Sequence, residues 1–371
     1  MKVIIAAAGT GGHINPGIAI ANKIMEKDPT SEVIFIGTNR GLENDLVPRA
    51  GYKLKTIDVY GLKKEFSFIN LKHILQTIGS RKDVKKIFDE FKPDLVVGTG
   101  GYICGPVFYV ATKRKIPTIL HESNAYPGKA VKMFSKKVNA VLCGFEDTKY
   151  KLEGCKKVVV TGTPTKIRKI NISDKRRKEL LEEIGIRNDL PIVLVFGGSQ
   201  GAQRINEAVI DLIKAKKNEN YQIIWATGPK QFDIVKETFE RADININYLQ
   251  NVKILSYIYN MEEMMNLADL LVCRSGAMTI TEISIVGKPA IFIPLPSNGA
   301  NRQEDNALVL KKIGAAKMIL NDKLNGEILA SEIEEIINDK LELEEMGKMA
   351  RTIAPSDVEE KIYEEIEKIV W

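Results

Sequence analysis

The chain carries short polar loops whose glycine, hydroxyl and imidazole groups could bind phosphate or move a proton. The first is GTGGHINPG at residues 9–17, which follows the apolar run KVIIAAA and sets His13 at the rim of a glycine turn. Backbone N–H groups in such loops, together with helix N-termini, attract anions. GTGGY alone fits an ordinary tight turn as well, but the whole set predicts a cleft lined by phosphate-binding backbone. The other members are GTGGY at 98–102, HESN at 121–124, GGSQGA at 197–202 and RSGAMT at 274–279.

The loops do not follow the patterns of the best-known nucleotide sites. After Gly9 and Gly11, the third glycine position of GxGxxG is occupied by Ile14. The strand VIFIGT ends on Thr38 rather than on the acid that would hold the ribose of NAD. The Walker pattern GxxxxGK[ST] is absent from the sequence. These departures argue against a dehydrogenase and against a P-loop ATPase.

The RSGAMT loop predicts a helix that is aimed at a ligand. A helix that begins near Gly276 would direct its first N–H groups, on Ala277 to Thr279, at a pyrophosphate. Glu282 lies further along the same helix, where its carboxylate could accept two hydrogen bonds from a ribose diol. A glutamate in an ordinary solvated helix is the alternative.

Alternating apolar runs and amphipathic stretches place all of these loops at strand ends. KVIIAAA, VIFIGT and PDLVVGTGG have the composition of strands covered on both faces, and PIVLVFGGSQGA, YQIIWATG and ADLLVCRSGA repeat that order after residue 190. DLVVGTGG at 94–101 and DLLVCRSG at 269–276 are predicted to be equivalent strand-to-loop transitions. We therefore expect an α/β fold of two Rossmann-like, doubly wound domains, with ligands beyond the carboxyl ends of the strands.

The boundary between the two halves is predicted in VVVTGTPTK at 158–166, where a strand runs into glycine and proline turns. The last segment opens with Ser356 and Glu359, which fit a capping box. The helix that follows could cap the second domain or pack back on the first. Its apolar stripe consists of Val358, Ile362, Ile366 and Ile369.

The composition is that of a soluble, globular, two-domain protein. One core seldom fills 371 residues, of which 44% are apolar and 27% charged. The formal charge of +6 comes without a block of lysine and arginine, so no nucleic-acid partner is expected. A modest positive charge does favour an anionic ligand or an anionic membrane surface. The four cysteines form no CxxC pair, which favours reduced thiols in the cytoplasm and no zinc site. Residues 3–22 lack formal charge, but glycines and Pro16 interrupt any spanning helix.

Residues 60–87 combine apolar and basic side chains, which predicts an interfacial patch on an anionic leaflet. A core helix with a solvated basic face would give the same pattern. The apolar members are Phe66, Phe68, Leu71, Ile74, Leu75 and Ile78, and the basic members are Lys63, Lys64, Lys72, Arg81, Lys82, Lys85 and Lys86.

Over essentially the whole chain these motifs resemble the MurG family of UDP-N-acetylglucosamine transferases. The resemblance rests on GTGGHINPG, GGYICGP at 100–106, HESNAYPG at 121–128, GGSQGA, and RSGAMTITE followed by the segment with Gln303 and Asn306. It implies a GT-B glycosyltransferase without cofactor or essential metal. The N-terminal domain, 1–163 joined by the C-terminal helix 353–371, would bind the lipid-linked acceptor. The C-terminal domain, 164–352, would bind UDP-N-acetylglucosamine (UDP-GlcNAc).

The implied reaction is inverting transfer of N-acetylglucosamine to the 4-hydroxyl of the N-acetylmuramoyl unit of lipid I, which gives lipid II and UDP for peptidoglycan synthesis. The enzyme would work peripherally on the cytoplasmic face of the cell membrane. A UDP-GlcNAc 2-epimerase of the same fold and a UDP-sugar-binding protein without catalysis are the alternatives. An epimerase would not need the GTGGHINPG loop, and a binding protein would release no UDP when acceptor is added.

The resemblance also implies roles for single residues. The chain has three histidines, of which His73 lies in a basic stretch and His121 could be a structural hydrogen-bonding residue behind its strand end. His13 remains as the general base, since an imidazole with an ordinary pKa of about 6.5 suits proton uptake near neutrality. Alternatively, His13 could only brace the glycine loop or bind the phosphate of the acceptor.

The acceptor is expected to contact Gly100, Gly101, Tyr102 and His121, with Thr10 and His13 near the reaction centre. Lys166 in GTPTK stands where the family has an arginine in GNPxR, so Lys166 or nearby Arg168 could meet the phosphates. The residues expected to bind UDP-GlcNAc are Thr10, Gly11, Gly12, Asn124, Lys166, Ser199, Ile254, Ala277, Met278, Thr279, Glu282, Arg302 and Gln303.

Overall fold

The structure is a computed structural model that describes residues 1–60, 68–187, 190–198, 200–296 and 302–371, with the side chains of 68–76 and 78 left out. The chain forms two compact units. The first contains Met1–Thr165, Asn298–Arg302 and Pro355–Trp371, and the second contains Lys166–Ser297 and Gln303–Ala354. The sequence predicts divisions at 163/164 and 352/353, whereas these units divide at 165/166 and 354/355.

The first unit is built on a parallel sheet, which has seven strands in the described residues. The strand order is β3-β2-β1-β4-β5-β6-β7. Successive side chains of a strand point to opposite faces, so Val3 and Ile5 join one buried cluster while Ile4 and Ala6 join another. The strands are β1 Lys2–Ala6, β2 Glu32–Gly37, β3 Lys53–Thr56, β4 Leu95–Gly98, β5 Thr118–Glu122, β6 Ala140–Cys143 and β7 Val158–Val160.

Helices cover both faces of this sheet, as expected of strands with continuous apolar runs. The last helix of the chain packs against the first one and shares a buried cluster with it. The helices of this unit are α1 Gly11–Lys27, α2 Glu43–Arg49, α3 Phe68–Phe91, α4 Cys104–Lys113, α5 Lys129–Phe134, α6 Glu146–Lys149 and α15 Val358–Val370.

The second unit repeats the plan with a sheet that has six parallel strands in the described residues, in the order β10-β9-β8-β11-β12-β13. The strands are β8 Ile192–Phe196, β9 Gln222–Ala226, β10 Val252–Leu255, β11 Leu270–Cys273, β12 Ala290–Phe292 and β13 Ala316–Met318. The helices are α7 Asp174–Ile184, α8 Gln203–Lys214, α9 Pro229–Glu240, α10 Met261–Leu267, α11 Ala277–Val286, α12 Gln303–Lys312, α13 Gly326–Ile337 and α14 Lys340–Thr352.

The expectation of an α/β fold with two Rossmann-like units is confirmed. β4, from DLVVGTGG, pairs directly with the central strand β1, and β11, from DLLVCRSG, pairs directly with the central strand β8. The two transitions that the sequence predicted to be equivalent therefore occupy the same position in each sheet.

The predicted capping box of the last helix is wrong. α15 begins at Val358, its N-cap is Asp357 in a left-handed conformation with φ of 52°, and no side chain caps it. Ser356 lies one residue too early, because the chain turns at Asp357 before the helix starts. The apolar stripe is confirmed, since Val358, Ile362 and Ile366 are buried.

The predicted membrane patch falls largely outside the described residues, including the side chains of Phe66, Phe68 and Lys64. Further along α3, Val84 and Phe88 are buried in the core and the Arg81 guanidinium stacks on the Tyr109 ring at 3.8 Å. That end of the helix packs as an ordinary core helix. None of the described helices is both long and apolar enough to cross a membrane.

Candidate active site

The strand order places the glycine loops in pairs at the carboxyl edge of each sheet. In a doubly wound sheet, ligands bind where neighbouring strands send their connections in opposite directions. In the first unit that point lies between β1 and β4, and in the second it lies between β8 and β11. The GTGGH loop therefore adjoins the GTGGY loop, and GGSQGA adjoins RSGAMT.

His13 is fixed by a reciprocal pair of hydrogen bonds to Thr99. The Nδ1 atom of His13 lies 2.8 Å from the Thr99 carbonyl oxygen, and the Thr99 hydroxyl donates to the His13 carbonyl oxygen at 2.7 Å. A carbonyl oxygen can only accept, so Nδ1 must carry the hydrogen. The neutral ring then has its lone pair on Nε2. This is the tautomer that a general base needs, on a side chain that is half-buried.

Two glycines of the GTGGY loop make room for that imidazole. Gly100 and Gly101 have φ of +100° and +79°, a region that favours glycine. A Cβ on Gly100 would lie 2.9 Å from two atoms of the His13 ring. The glycines are therefore needed to place His13, whatever they contact in the acceptor. Tyr102 follows them at the surface, 37% exposed.

The same corner of the first unit forms the start of a helix. Thr10 is the exposed N-cap of α1 and makes no side-chain capping bond, and Gly11 and Gly12 are the first helical residues. The leading N–H groups of a helix have no partners within it and carry positive partial charge. Thr10, Gly11 and Gly12 are thus placed where an anion would be stabilised.

A buried carboxylate that sequence reasoning missed holds this loop. Glu43 has no exposed surface and accepts hydrogen bonds from the backbone of Gly9 at 2.9 Å and from both the backbone and the hydroxyl of Thr38, at 2.9 and 2.6 Å. Burial raises the pKa of Glu43, but these hydrogen bonds outweigh it and leave the pKa below its usual value. The clue was an acid at the start of α2, five residues after Thr38.

Glu122 plays the same part for the HESN loop, and it was missed as well. It is buried, and one carboxylate oxygen accepts from the backbone and the side-chain amide of Asn124 at 2.9 and 2.8 Å. The other oxygen accepts from the Gly128 backbone at 2.6 Å. Asn124, predicted to contact the sugar, is thus oriented by a carboxylate inside its own motif.

His121 is not placed to contact the acceptor. It is completely buried, Nε2 donates to the Gly162 carbonyl oxygen at 3.0 Å, and Nδ1 accepts from the Ser123 hydroxyl at 3.3 Å. Burial lowers its pKa to about 4, so the ring is neutral. The expected acceptor contact is corrected to the alternative role, a hydrogen-bonding residue behind the strand end, because both ring nitrogens face the interior.

In the second unit, the GGSQGA loop packs backbone to backbone on the loop after β9. Gly201 and Gly228 have φ of +77° and +90°, and a Cβ on Gly201 would overlap the Thr227 carbonyl oxygen. Gly198 also has a positive φ of +89°, but no described heavy atom lies within 4 Å of the position a Cβ would take. Gly201 therefore allows the two loops to pack, whereas Gly198 leaves open space. Ser199, between them, lies outside the described residues.

The neighbouring loop confirms the predicted helix start. α11 begins at Ala277 with Gly276 as N-cap, and its first N–H groups, on Ala277, Met278 and Thr279, donate to no acceptor in the described ranges. Arg274, which follows β11 in the same loop, is buried and donates to the Ile293 carbonyl oxygen and the Asn321 side chain. Burial lowers the pKa of Arg274 to about 10, which leaves it charged at neutral pH. Helix dipole and guanidinium both favour an anion here.

Three more residues that the sequence predicts to bind UDP-GlcNAc, namely Gln303, Glu282 and Ile254, also lie in the second unit. Gln303 begins α12, and its side-chain oxygen accepts from the Leu295 backbone at 2.9 Å while its carbonyl accepts from Ser275 at 2.8 Å. Glu282 is half-buried on α11, in the turn after the helix start. Ile254 lies near the carboxyl end of the edge strand β10.

The cationic side chains that the sequence places at the donor phosphates, Lys166, Arg168 and Arg302, differ in their surroundings and belong to different units. Lys166 is exposed at the first position of the second unit. The Arg168 backbone donates to Glu262 at 2.7 Å, and Asn266 donates to the Arg168 carbonyl oxygen at 2.9 Å, so this segment is tied to α10. Arg302 belongs to the first unit and stacks on the Tyr126 ring at 4.3 Å. The assignment of these cations to the phosphates stays a prediction.

Comparison with known proteins points to one family. Residues 3–143 match the glycosyltransferase family 28 N-terminal domain, and residues 192–362 match the glycosyltransferase family 28 C-terminal domain. A curated relative from Acetivibrio thermocellus is 43% identical over 100% of this chain and 98% of its own length. It is named UDP-N-acetylglucosamine--N-acetylmuramyl-(pentapeptide) pyrophosphoryl-undecaprenol N-acetylglucosamine transferase.

Solved structures give the same picture. The crystal structure of Acinetobacter baumannii MurG is similar with a TM-score of 0.77 and 28% identity, over 99% of both chains. UDP-GlcNAc 2-epimerase from Neisseria meningitidis is similar with a TM-score of 0.65 over 99% of this chain and 100% of its own, at 16% identity. At that identity the likeness to the epimerase reflects the fold alone.

Proposed function

The chain belongs to glycosyltransferase family 28 and to the MurG family within it, and from that premise we propose that it transfers N-acetylglucosamine from UDP-GlcNAc to lipid I. The products are lipid II and UDP. The observation that carries the proposal is the 43% identity, over the full chain, to a relative named for this transfer. The geometry supports it with an imidazole whose Nε2 is free to accept a proton in one unit and a helix start without a side-chain cap in the other.

In the proposed step the 4-hydroxyl oxygen of the N-acetylmuramoyl unit attacks the anomeric carbon of the donor. The bond from that carbon to the β-phosphate oxygen breaks, UDP leaves, and the configuration inverts to a β-linkage. The hydroxyl proton goes to Nε2 of His13, which is the acceptor nitrogen in the tautomer set by Thr99. General bases of this kind contribute about 100- to 10,000-fold to a rate.

The departing diphosphate gains negative charge as the bond breaks, and the second unit supplies the groups to stabilise it. The leading N–H groups of α11 are directed donors, Gly198 leaves open space in the neighbouring loop, and Arg274 adds a buried positive charge in the loop that leads into α11. Donors that are in place before the reaction need no reorganisation, which makes them effective in the transition state.

The partners follow from this reaction. UDP-GlcNAc would be held by the second unit, while the lipid-linked acceptor would be bound by the first, with Asn124 also contacting the donor sugar. A lipid-linked acceptor requires work at a membrane surface, so we place the enzyme peripherally on its cytoplasmic face, against anionic lipid.

A single assay separates this proposal from its alternatives. UDP release is followed with UDP-GlcNAc alone and after addition of a soluble lipid I analogue. The transferase releases UDP only when acceptor is present, and a disaccharide product forms in equal amount. Formation of a 2-epimer without acceptor, with or without release of UDP, would identify an epimerase. Binding of UDP-GlcNAc with neither UDP release nor a 2-epimer would identify a protein that only binds the nucleotide.

A further inference from the structure

A second cavity lies within the second unit, at the amino edge of its sheet, and has a volume of about 710 Å³. Pro191, Asp269 and Pro289 line it directly before the neighbouring strands β8, β11 and β12 begin. The loops proposed to bind UDP-GlcNAc, GGSQGA and RSGAMT, follow the opposite, carboxyl ends of β8 and β11; we call them the donor site. The length of the strands therefore separates this cavity from the donor site.

The cavity wall is strongly basic. Six cationic side chains and two acidic ones line it, which leaves a net charge of +4. Both acids already have partners, since Asp269 accepts from the Ile192 backbone at 2.8 Å and Glu344 lies 3.9 Å from Lys348. The cations come from four separate segments, namely the start of the unit, α7, the turn after α11, and α14. They are Lys169, Arg177, Lys288, Lys340, Lys348 and Arg351.

Close backbone packing positions one of these cations. Gly287 ends α11 with φ of +68°, and the stem of Arg351 lies against it so closely that a Cβ there would overlap the arginine side chain. A Cβ on Gly347 would lie 2.7 Å from the Gly287 carbonyl oxygen, so α14 also rests directly on this turn. The stem of this exposed arginine is therefore packed on the Gly287 turn, which positions the guanidinium at the cavity wall.

The cations destabilise one another in the absence of a counter-charge. Burial lowers the pKa of Lys288; Asp269 opposes this, and Lys169 and Arg177 reinforce it. Burial and the charge of Arg351 lower the pKa of Lys169. An anion bound among them would relieve this repulsion, as bound phosphate does at clustered lysine and arginine side chains.

Part of the wall is apolar, which indicates a ligand with more than a phosphate group. Leu190, Pro191, Pro289, Ile337 and Leu343 line the cavity beside the charges. The volume of about 710 Å³ lies in the range of small-molecule sites. We propose that this cavity binds a phosphate ester, with its phosphate at Lys169, Lys288 and Arg351 and its apolar part against Leu190 and Leu343.

Two probes distinguish the sources of such a phosphate. ATP represents a soluble ester, and vesicles of equal parts phosphatidylcholine and phosphatidylglycerol represent a lipid headgroup. Both are titrated against the full chain with saturating UDP present, so that the donor site is already filled. The test variant is Lys169→Gln/Arg351→Gln. The control is Lys175→Gln/Lys178→Gln, which removes two positive charges from exposed positions of α7 outside the cavity.

We expect the test variant to bind one of the probes about tenfold more weakly or worse, and the control to stay within about twofold of the unaltered chain. A loss confined to ATP identifies a soluble ester, and a loss confined to vesicles identifies a headgroup. The proposal is overturned if neither probe binds, or if the test variant binds both as tightly as the unaltered chain. UDP affinity, measured alongside, reports separately on the donor site.

Discussion

The two units share one topology, but they hold their strand-end loops with groups of opposite charge. In the first unit two buried carboxylates, Glu43 and Glu122, accept hydrogen bonds from loop backbone. In the described part of the second unit the buried charged group is the Arg274 guanidinium, and loops pack glycine on glycine at Gly201 and Gly228. The same fold therefore carries negative charge behind one set of loops and positive charge behind the other.

This difference suits the two halves of the proposed reaction. Positive charge and open N–H groups stabilise a diphosphate that leaves. The Glu43 carboxylate holds the loop at Gly9, and the hydrogen bonds with Thr99 keep His13 in one orientation while it takes a proton. We infer that the first unit supplies the base and the second supplies the leaving-group site.

The largest loss of donor-substrate affinity is expected from Gly201→Ala in the second unit. The residue has φ of +77°, and a methyl group would overlap the Thr227 carbonyl oxygen, so the two loops must separate. We expect UDP-GlcNAc affinity to fall by about 100-fold, equivalent to about 3 kcal/mol. Isothermal titration calorimetry measures it.

Gly198→Ala is the matched control, because it has a similar φ of +89° but open space around the added methyl group. Its affinity loss should stay near the cost of backbone strain alone, about 1 kcal/mol. Equal losses in the two variants would contradict the packing role of Gly201.

The next effect concerns acid stability in the first unit. His121 is neutral in the fold with a pKa of about 4, against about 6.5 when unfolded, so the unfolded chain binds the extra proton. Its contribution to the free energy of unfolding, about 3 kcal/mol, is complete above pH 6.5 and is lost as the pH falls towards 4. Urea unfolding of the unaltered chain and of His121→Asn at pH 7 and pH 4.5 measures this. A decrease as steep in the variant as in the unaltered chain would disprove the assignment.

A smaller loss of unfolding free energy is expected from Glu43→Gln. An amide oxygen can replace one carboxylate oxygen, but the amide NH₂ then faces an N–H donor of Gly9 or Thr38. One buried donor left without an acceptor costs about 2 kcal/mol of unfolding free energy. Because the folded pKa of Glu43 is lowered, its contribution is present above pH 4.5 and disappears as the pH falls below that value.

Unfolding of Glu43→Gln is compared with that of Glu32→Gln, which removes an exposed acid from the same unit. The control should change stability by less than about 0.5 kcal/mol. Transfer activity should decrease in Glu43→Gln with UDP affinity unchanged. A loss of UDP affinity instead would contradict the proposed division between the units.

The sequence predicted the fold well because its signals were local and repeated. The apolar runs marked the strands, and the likeness of DLVVGTGG to DLLVCRSG revealed the two equivalent halves. The helix start at Ala277 followed from glycine chemistry alone. These features depend on neighbouring residues, which a single sequence displays directly.

The parts that were missed depend on contacts between distant residues. Glu43 bonds to Gly9 and His13 bonds to Thr99, across 34 and 86 positions, and no local pattern announces either pair. His121 was assigned to the acceptor because its motif ends a strand, although the ring turns inward to Gly162. The capping box failed because Asp357 takes a left-handed turn.

The central claim is tested most directly by His13→Gln, assayed for transfer and for donor binding on the same preparation. The account predicts that kcat for UDP release with a lipid I analogue falls by about 100- to 10,000-fold. UDP-GlcNAc affinity should stay within about twofold, because the groups proposed to hold the diphosphate lie in the other unit. Transfer at a near-normal rate would contradict the claim that His13 takes the proton.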